Sequence, residues 1–110
     1  MDKDSPQLLP GTLYLLILRT LDTGPMHGYA IARRIKQCSA DVLGVEESSL
    51  YPALNRMLIK GWLEAEWGTS KTNRKVRYYR LTKEGRMQLA SEAGDFNRLV
   101  DAIQLVMKRA

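Results

Sequence analysis

Cysteine and histidine each occur once in the 110 residues, and each scarcity removes a class of chemistry. A lone Cys38 cannot close an intrachain disulfide and is too little for a cysteine-based metal site; it is expected as a small, semi-buried thiol. His27, the one histidine, lies between Met26 and Gly28, and the sequence supplies no partner that would make it a general base. It reads instead as a residue at the start of a helix. The carboxylates are scattered, and neither a glycine-rich phosphate loop nor a nucleophile elbow is present. No catalytic residue, metal or cofactor is therefore expected, and the chain is not expected to be an enzyme. Long apolar runs are missing too. The longest, Thr12 to Leu21, is interrupted by Arg19 and falls well short of the roughly 20 residues that span a bilayer. The opening stretch MDKDSPQLLPG puts two acids and a proline ahead of its first leucine, unlike the basic and then apolar order of a secretory signal. The expectation is a cytoplasmic protein without a membrane segment.

What is present is ordinary in amount and uneven in placement. Hydrophobic residues make up 45% and charged residues 26%, proportions that suit a globular chain and argue against disorder. A chain of this length buries roughly 60 to 70% of its unfolded surface, enough for one modest core. The net charge of +5 favours an anionic partner such as nucleic acid, so the placement of the charges has to decide.

Leu13, Leu16, Ile17, Thr20 and Leu21 recur at helical spacing between Pro10-Gly11 and Gly24-Pro25, which predicts a first helix over about Gly11 to Asp22. In HGYAIARRIKQCS, residues Tyr29, Ile31, Ala32 and Ile35 form one stripe with Arg33, Arg34 and Lys36 largely off it, a short second helix. Leu50, Leu54, Met57 and Leu58 then mark a third helix that ends before Gly61. Pro52 interrupts this pattern. With Ser48 or Ser49 as the N-cap, the proline falls in the first turn, where its missing N–H has no acceptor to lose.

After Gly61 the period changes from 3.6 to 2. WLEAEW alternates, VRYYRLT is β-branched and aromatic, and GTSKTNRK joins them, which predicts a β-hairpin with a long basic tip. Gly68 and Asn73 suit the turn conformations of such a tip. One of Tyr78 and Tyr79 should be core and the other exposed, Trp62 is expected in the core, and Trp67 partly open. The last segment has Leu89, Phe96 and Ile103 seven apart, with Ala93, Val100 and Met107 four residues after each. That is a long amphipathic fourth helix, with Thr82 as cap and Glu84 in its first turn.

The expected fold is mainly α with a β-hairpin (α+β): a winged helix-turn-helix over residues 1–82 and a long C-terminal dimerisation helix over 83–110. In such a fold the second helix of the pair enters the DNA major groove, while the hairpin reaches the adjacent backbone or minor groove. Ser48, Ser49, Tyr51, Asn55 and Arg56 lie off the apolar stripe of the third helix. Asn can pair with adenine and Arg with guanine, while Ser, Tyr and a helix N-terminus suit phosphates. Any surface helix also has a polar face, so the hairpin carries the weight. From Trp67 to Lys83 there are six basic residues and no acid, a concentration that suits phosphate tracking more than a solvated loop. The fourth helix has an apolar seam too long for so small a head to cover; self-association is one use, and folding back along its own domain is the other. An adaptor whose basic wing meets an acidic protein partner is the reading from a different functional class.

With HGYAIARRI, SSLYPALNRMLIKGWL and RYYRLTKEGRMQL in place, the chain resembles the PadR family of bacterial transcriptional regulators over nearly its whole length. GY in the second helix, LYPAL-x-R-x-L-x-x-G-W in the third and YY-x-LT-x-x-G at the close of the wing stand in the family's order and spacing. It looks like a short member, with one C-terminal helix in place of a larger domain. The resemblance implies a homodimeric winged-helix repressor of double-stranded DNA on a pseudo-palindromic operator, often released by a small aromatic or hydrophobic effector. It implies DNA contacts at Ser48, Ser49, Tyr51, Pro52, Asn55 and Arg56, at Lys71, Arg74, Lys75 and Arg77 of the wing, and near the backbone at Tyr29. The implied dimer interface joins the first and fourth helices, at Leu13, Leu16, Leu89, Phe96, Val100, Ile103 and Met107.

Overall fold

Apolar side chains at Leu13, Ile17, Leu18 and Leu21 are all buried, and they make helix α1 (Pro10–Leu21) the floor on which the other elements pack. The stripe is rotated slightly from its expected place: Leu18 is fully enclosed, while Leu16 and Thr20 are half-buried. The computed structural model describes Leu8 and residues 10–110. Pro10 takes the first helical position, where its fixed φ is already helical and its absent N–H costs nothing.

After α1 come β1 (Met26–His27), α2 (Gly28–Cys38), α3 (Glu47–Ile59), β2 (Leu63–Thr69), β3 (Lys75–Leu81) and α4 (Lys83–Arg109). The three helices, hairpin and final helix stand where the sequence puts them. Strand β1 is the addition. Its two residues pair antiparallel with β3, Met26 opposite Tyr79 and His27 opposite Tyr78, giving the sheet order β1-β3-β2. Two residues are too short for any period to register. The extra strand makes β3 central, and Tyr79 is therefore the core tyrosine while Tyr78 stays half-buried. Ile31 of α2 and Leu50, Ala53, Leu54 and Met57 of α3 complete the core with Leu63 and Leu81 of the sheet. Trp62 packs at its margin, and Trp67 lies open. Among the described residues no helix is long and apolar enough to cross a membrane.

Three local devices fix the site's geometry. Helix α3 ends in a Schellman motif: Trp62 N–H donates to the Met57 carbonyl and Gly61 N–H to that of Leu58, with Gly61 at φ 80°. Helix α4 begins on that turn. The Thr82 hydroxyl accepts from Gly85 N–H at 3.0 Å and donates to the Gly61 carbonyl at 2.6 Å. A Cβ at Gly85 would lie 2.1 Å from the Trp62 carbonyl oxygen, so only glycine lets α4 start this close. The expected cap is thus present, and it also clamps α4 to α3. His27 caps α2, its Nδ1 accepting from Ala30 N–H at 3.3 Å.

Two expectations need correction. Cys38 is exposed: it shares the helix face of Ile31 and Ile35, but as the last residue of α2 it lies past the core that buries them. Helix α3 starts earlier than expected: Glu46 is the N-cap, its carbonyl accepting from Ser49 and Leu50 N–H, and neither serine caps. Pro52 consequently lies in the second turn, and the Ser48 carbonyl loses its i+4 donor. Ser48 and Pro52 are both exposed, so water can satisfy that oxygen.

Candidate nucleic-acid interface

Helix α3 buries Leu50, Ala53, Leu54 and Met57 and so turns Ser48, Pro52 and Asn55 outward along one line, with Ser49 beside it. Tyr51 stands next to this line, 40% exposed, with its ring pressed on the backbone at Gly28. A Cβ at Gly28 would meet that ring at 2.8 Å. The glycine of the GY pair is therefore the seat of the tyrosine in LYPAL, which sets the angle between α2 and α3. Burial, then the Glu47 carboxylate and the Tyr79 hydroxyl, push the Tyr51 phenol above its ordinary value of 10.0. It stays protonated and can donate.

Arg56 does not join this group. Its Nε donates to the Tyr14 hydroxyl at 2.5 Å, and its guanidinium lies 5.7 Å from the centre of that ring. Tyr14 also meets Trp62 edge to face at 5.9 Å, and Lys60 covers Trp62 at 5.3 Å. The arginine expected at base edges is thus held against α1. Tyr29 is 62% exposed at the start of α2, with Arg33 over its ring at 5.6 Å and His27 stacked at 6.5 Å.

The hairpin tip spans Ser70 to Arg74. Ser70 organises it: its N–H donates to the Arg74 carbonyl at 2.8 Å, its carbonyl accepts from Asn73 N–H, and its hydroxyl accepts from Arg74 N–H. Asn73 adopts φ 61°, the turn role expected of it. Gly68 has a different reason. It lies within β2, and a Cβ there would meet the Tyr78 ring at 2.9 Å, while the Tyr78 hydroxyl donates to the Thr69 carbonyl. Tyr78 thereby braces the base of the wing. Lys71, Arg74, Lys75 and Arg77 are all exposed. Arg80 is paired with Glu64 at 3.0 Å and adds little net charge.

The positions expected at a dimer interface separate into two sets. Leu13 is packed into the protomer's own core, and Leu16 and Leu89 are half-buried around it. On α4, Phe96, Ile103 and Met107 are exposed, and Val100 is half-buried. Leu99 and Val106, which the expected seam omitted, are also exposed. Phe96, Leu99, Ile103 and Val106 form a stripe 43 to 61% exposed in 3-4-3 spacing. The missing signal was the offset, since Phe96 and Ile103 each have apolar residues both three and four positions on, Leu99 and Val100, Val106 and Met107, and the sequence period does not tell them apart.

The family model for the Transcriptional regulator PadR-like family matches residues 17–91, from the middle of α1 into α4. The chain belongs to that family. Among solved structures, a PadR family transcriptional regulator from Eggerthella lenta DSM 2243 is 28% identical, with TM-score 0.77 over 91% of this chain and 85% of its own. A transcriptional regulator from Clostridium thermocellum is 26% identical, with TM-score 0.78 over 86% and 91%. A Streptococcus mutans UA159 protein, 23% identical, shares the fold at TM-score 0.84 over 94% and 93%. These solved structures match most of this PadR-like chain, and its four helices with a small three-stranded antiparallel sheet share the winged-helix fold of PadR-like regulators. The chain is a transcriptional regulator.

Proposed function

We propose that this PadR-like regulator is a sequence-specific DNA-binding repressor that acts as a homodimer on a pseudo-palindromic operator. One observation carries the reading: Ser48, Pro52 and Asn55 form an outward line on α3, and Lys71, Arg74, Lys75 and Arg77 of the wing are exposed with it. In this reading α3 enters the major groove. Asn55 pairs with a base edge, and Ser48, Ser49, Tyr51 and Tyr29 position the helix on phosphates. The wing neutralises the neighbouring backbone. Residues 1–82 form the DNA-binding unit and 83–110 the dimerisation helix, so two-fold symmetry sets half-sites about 10 bp apart or a multiple of it. Such a protein works in the cytoplasm. Release by a small hydrophobic effector belongs to the same reading, and with Phe96 as the one aromatic ring of α4 its seat would be largely aliphatic.

The test is a salt-titrated shift assay on duplex fragments of the source genome. Specific retention at physiological salt is expected, and Asn55→Ala should weaken the cognate duplex by about 1 to 3 kcal/mol while leaving nonspecific binding little changed. Equal losses on both duplexes would remove base readout by Asn55. No specific retention by the unsubstituted protein would favour an adaptor that meets an acidic protein.

A further inference from the structure

Past Ala65 and Tyr79 the hairpin leaves the core, and its two faces differ in charge. Ala65 is opposite Tyr79, Trp67 opposite Arg77 and Thr69 opposite Lys75, so these six share the face that continues outward from Leu63 and Leu81. Glu64, Glu66, Gly68, Val76, Tyr78 and Arg80 share the other. The first face has two cations and no acid. The second presents Glu64 and Glu66, with Arg80 already bound to Glu64.

Trp67 stands in the middle of the acid-free face, 64% exposed. A large ring left in water on a short hairpin forgoes the free energy of burial, and the Lys75 side chain beside it leaves most of the ring open. Its surroundings are cationic. The Lys75 ammonium lies 5.3 Å from the indole centre, and the Arg77 guanidinium lies 5.8 Å from the Tyr79 ring on the same face. One face of the hairpin therefore carries Arg77, Trp67 and Lys75 outward from the buried Tyr79.

We propose that Trp67 is itself a DNA-contacting residue, its ring laid against the deoxyribose of one strand while Lys75 and Arg77 beside it meet the flanking phosphates. This inference rests on the DNA reading above and adds to it an apolar contact of the wing. Charge chooses the face: phosphates are attracted to the side of Lys75 and Arg77 and repelled from that of Glu64 and Glu66. Sugar supplies the apolar surface an indole needs without unstacking any base.

A deoxyribose contact and a mere seat for Lys75 give different salt behaviour. On the cognate duplex Trp67→Ala should weaken binding about tenfold, as expected for losing part of an aromatic burial, and leave the salt slope unchanged. Lys75→Ala should lower the slope by about one. The losses of the two variants should add in the double variant. Acrylamide quenching of the unsubstituted protein gives an independent reading: saturating duplex should shield the more exposed tryptophan, and Trp67→Phe should abolish that shielding. The inference is overturned if Trp67→Ala lowers the slope as Lys75→Ala does and the double variant loses no more, since the ring then only seats the lysine. It is equally overturned if Trp67 remains open to acrylamide on bound duplex. Should the unsubstituted protein bind no duplex, the DNA reading falls as a whole and this contact with it.

Discussion

Asn55 and Arg56 are neighbours in sequence and point about 100° apart around α3, and that rotation separates their roles. Both are polar residues off the apolar stripe, and both match a base-pairing chemistry. Only contacts far away in the chain distinguish them, because the partner of Arg56 is Tyr14, 42 residues earlier. Sequence periodicity shows which side of a helix leaves the core; it does not show which neighbouring helix waits beside that side. Arg56→Ala should therefore cost about 1 kcal/mol of stability, the scale of a surface-lying hydrogen bond to a charged donor, with Tyr14→Phe costing a similar amount. The double variant should lose little beyond either single one, since both remove the same bond. Urea midpoints for the four proteins check this, and full additivity would show the pair uncoupled. On DNA, Arg56→Ala should leave the discrimination between cognate and nonspecific duplexes unchanged, in contrast to Asn55→Ala. A loss confined to one base pair of the operator would return Arg56 to the reading face.

Helix ends were legible where the residue that makes them is diagnostic. Gly61 closes α3 with a positive φ, and Thr82 opens α4 with a side-chain cap, as their types announce. The turn between α2 and α3 is made by residues that announce nothing. Ala40 N–H donates to the Gln37 carbonyl and Asp41 N–H to that of Lys36, the Schellman pattern again, but with Ala40 at φ 52° and Asp41 at φ 66°. A left-handed alanine costs roughly 1 to 2 kcal/mol, against which glycine brings about 0.5 to 1 kcal/mol of extra unfolded-state entropy. Ala40→Gly should accordingly stabilise the protein by about 0.5 kcal/mol, read as a higher urea midpoint at unchanged m. A fall in midpoint would mean the Ala40 methyl packs usefully. Pro52 shows the same limit from the other side: its tolerance was foreseen, but its turn was misplaced because Ser48 and Ser49 imitate a cap while the Glu46 carbonyl starts the helix. Strand β1 escaped because two residues carry no period, and their pairing is a backbone contact with β3, about 50 residues away in sequence.

The radius of gyration, 15.2 Å, exceeds the roughly 13 Å of a compact chain near this length, and the extents of 54 × 33 × 21 Å show one long axis. Helix α4 accounts for the difference. It spans 27 residues, about 40 Å, and all of residues 101–110 are exposed. An amphipathic helix gains stability when its apolar stripe is covered, and the 3-4-3 spacing of Phe96, Leu99, Ile103 and Val106 suits packing against a second helix. A second copy supplies an identical stripe, and in a two-fold interface each substitution is felt twice. Removing two buried isoleucine side chains forfeits about 4 kcal/mol, and placing carboxylates there adds repulsion. Ile103→Asp should thus raise the dimer dissociation constant about a thousandfold or more. In sedimentation at micromolar concentration the unsubstituted chain should run as a dimer and Ile103→Asp as a monomer of unchanged helicity. The monomer should still bind a single half-site weakly, because α3 and the wing are packed by the head and clamped at Thr82, far from Ile103 along α4. An unsubstituted chain that sediments as a monomer would leave the stripe without its partner and count against symmetric recognition of two half-sites.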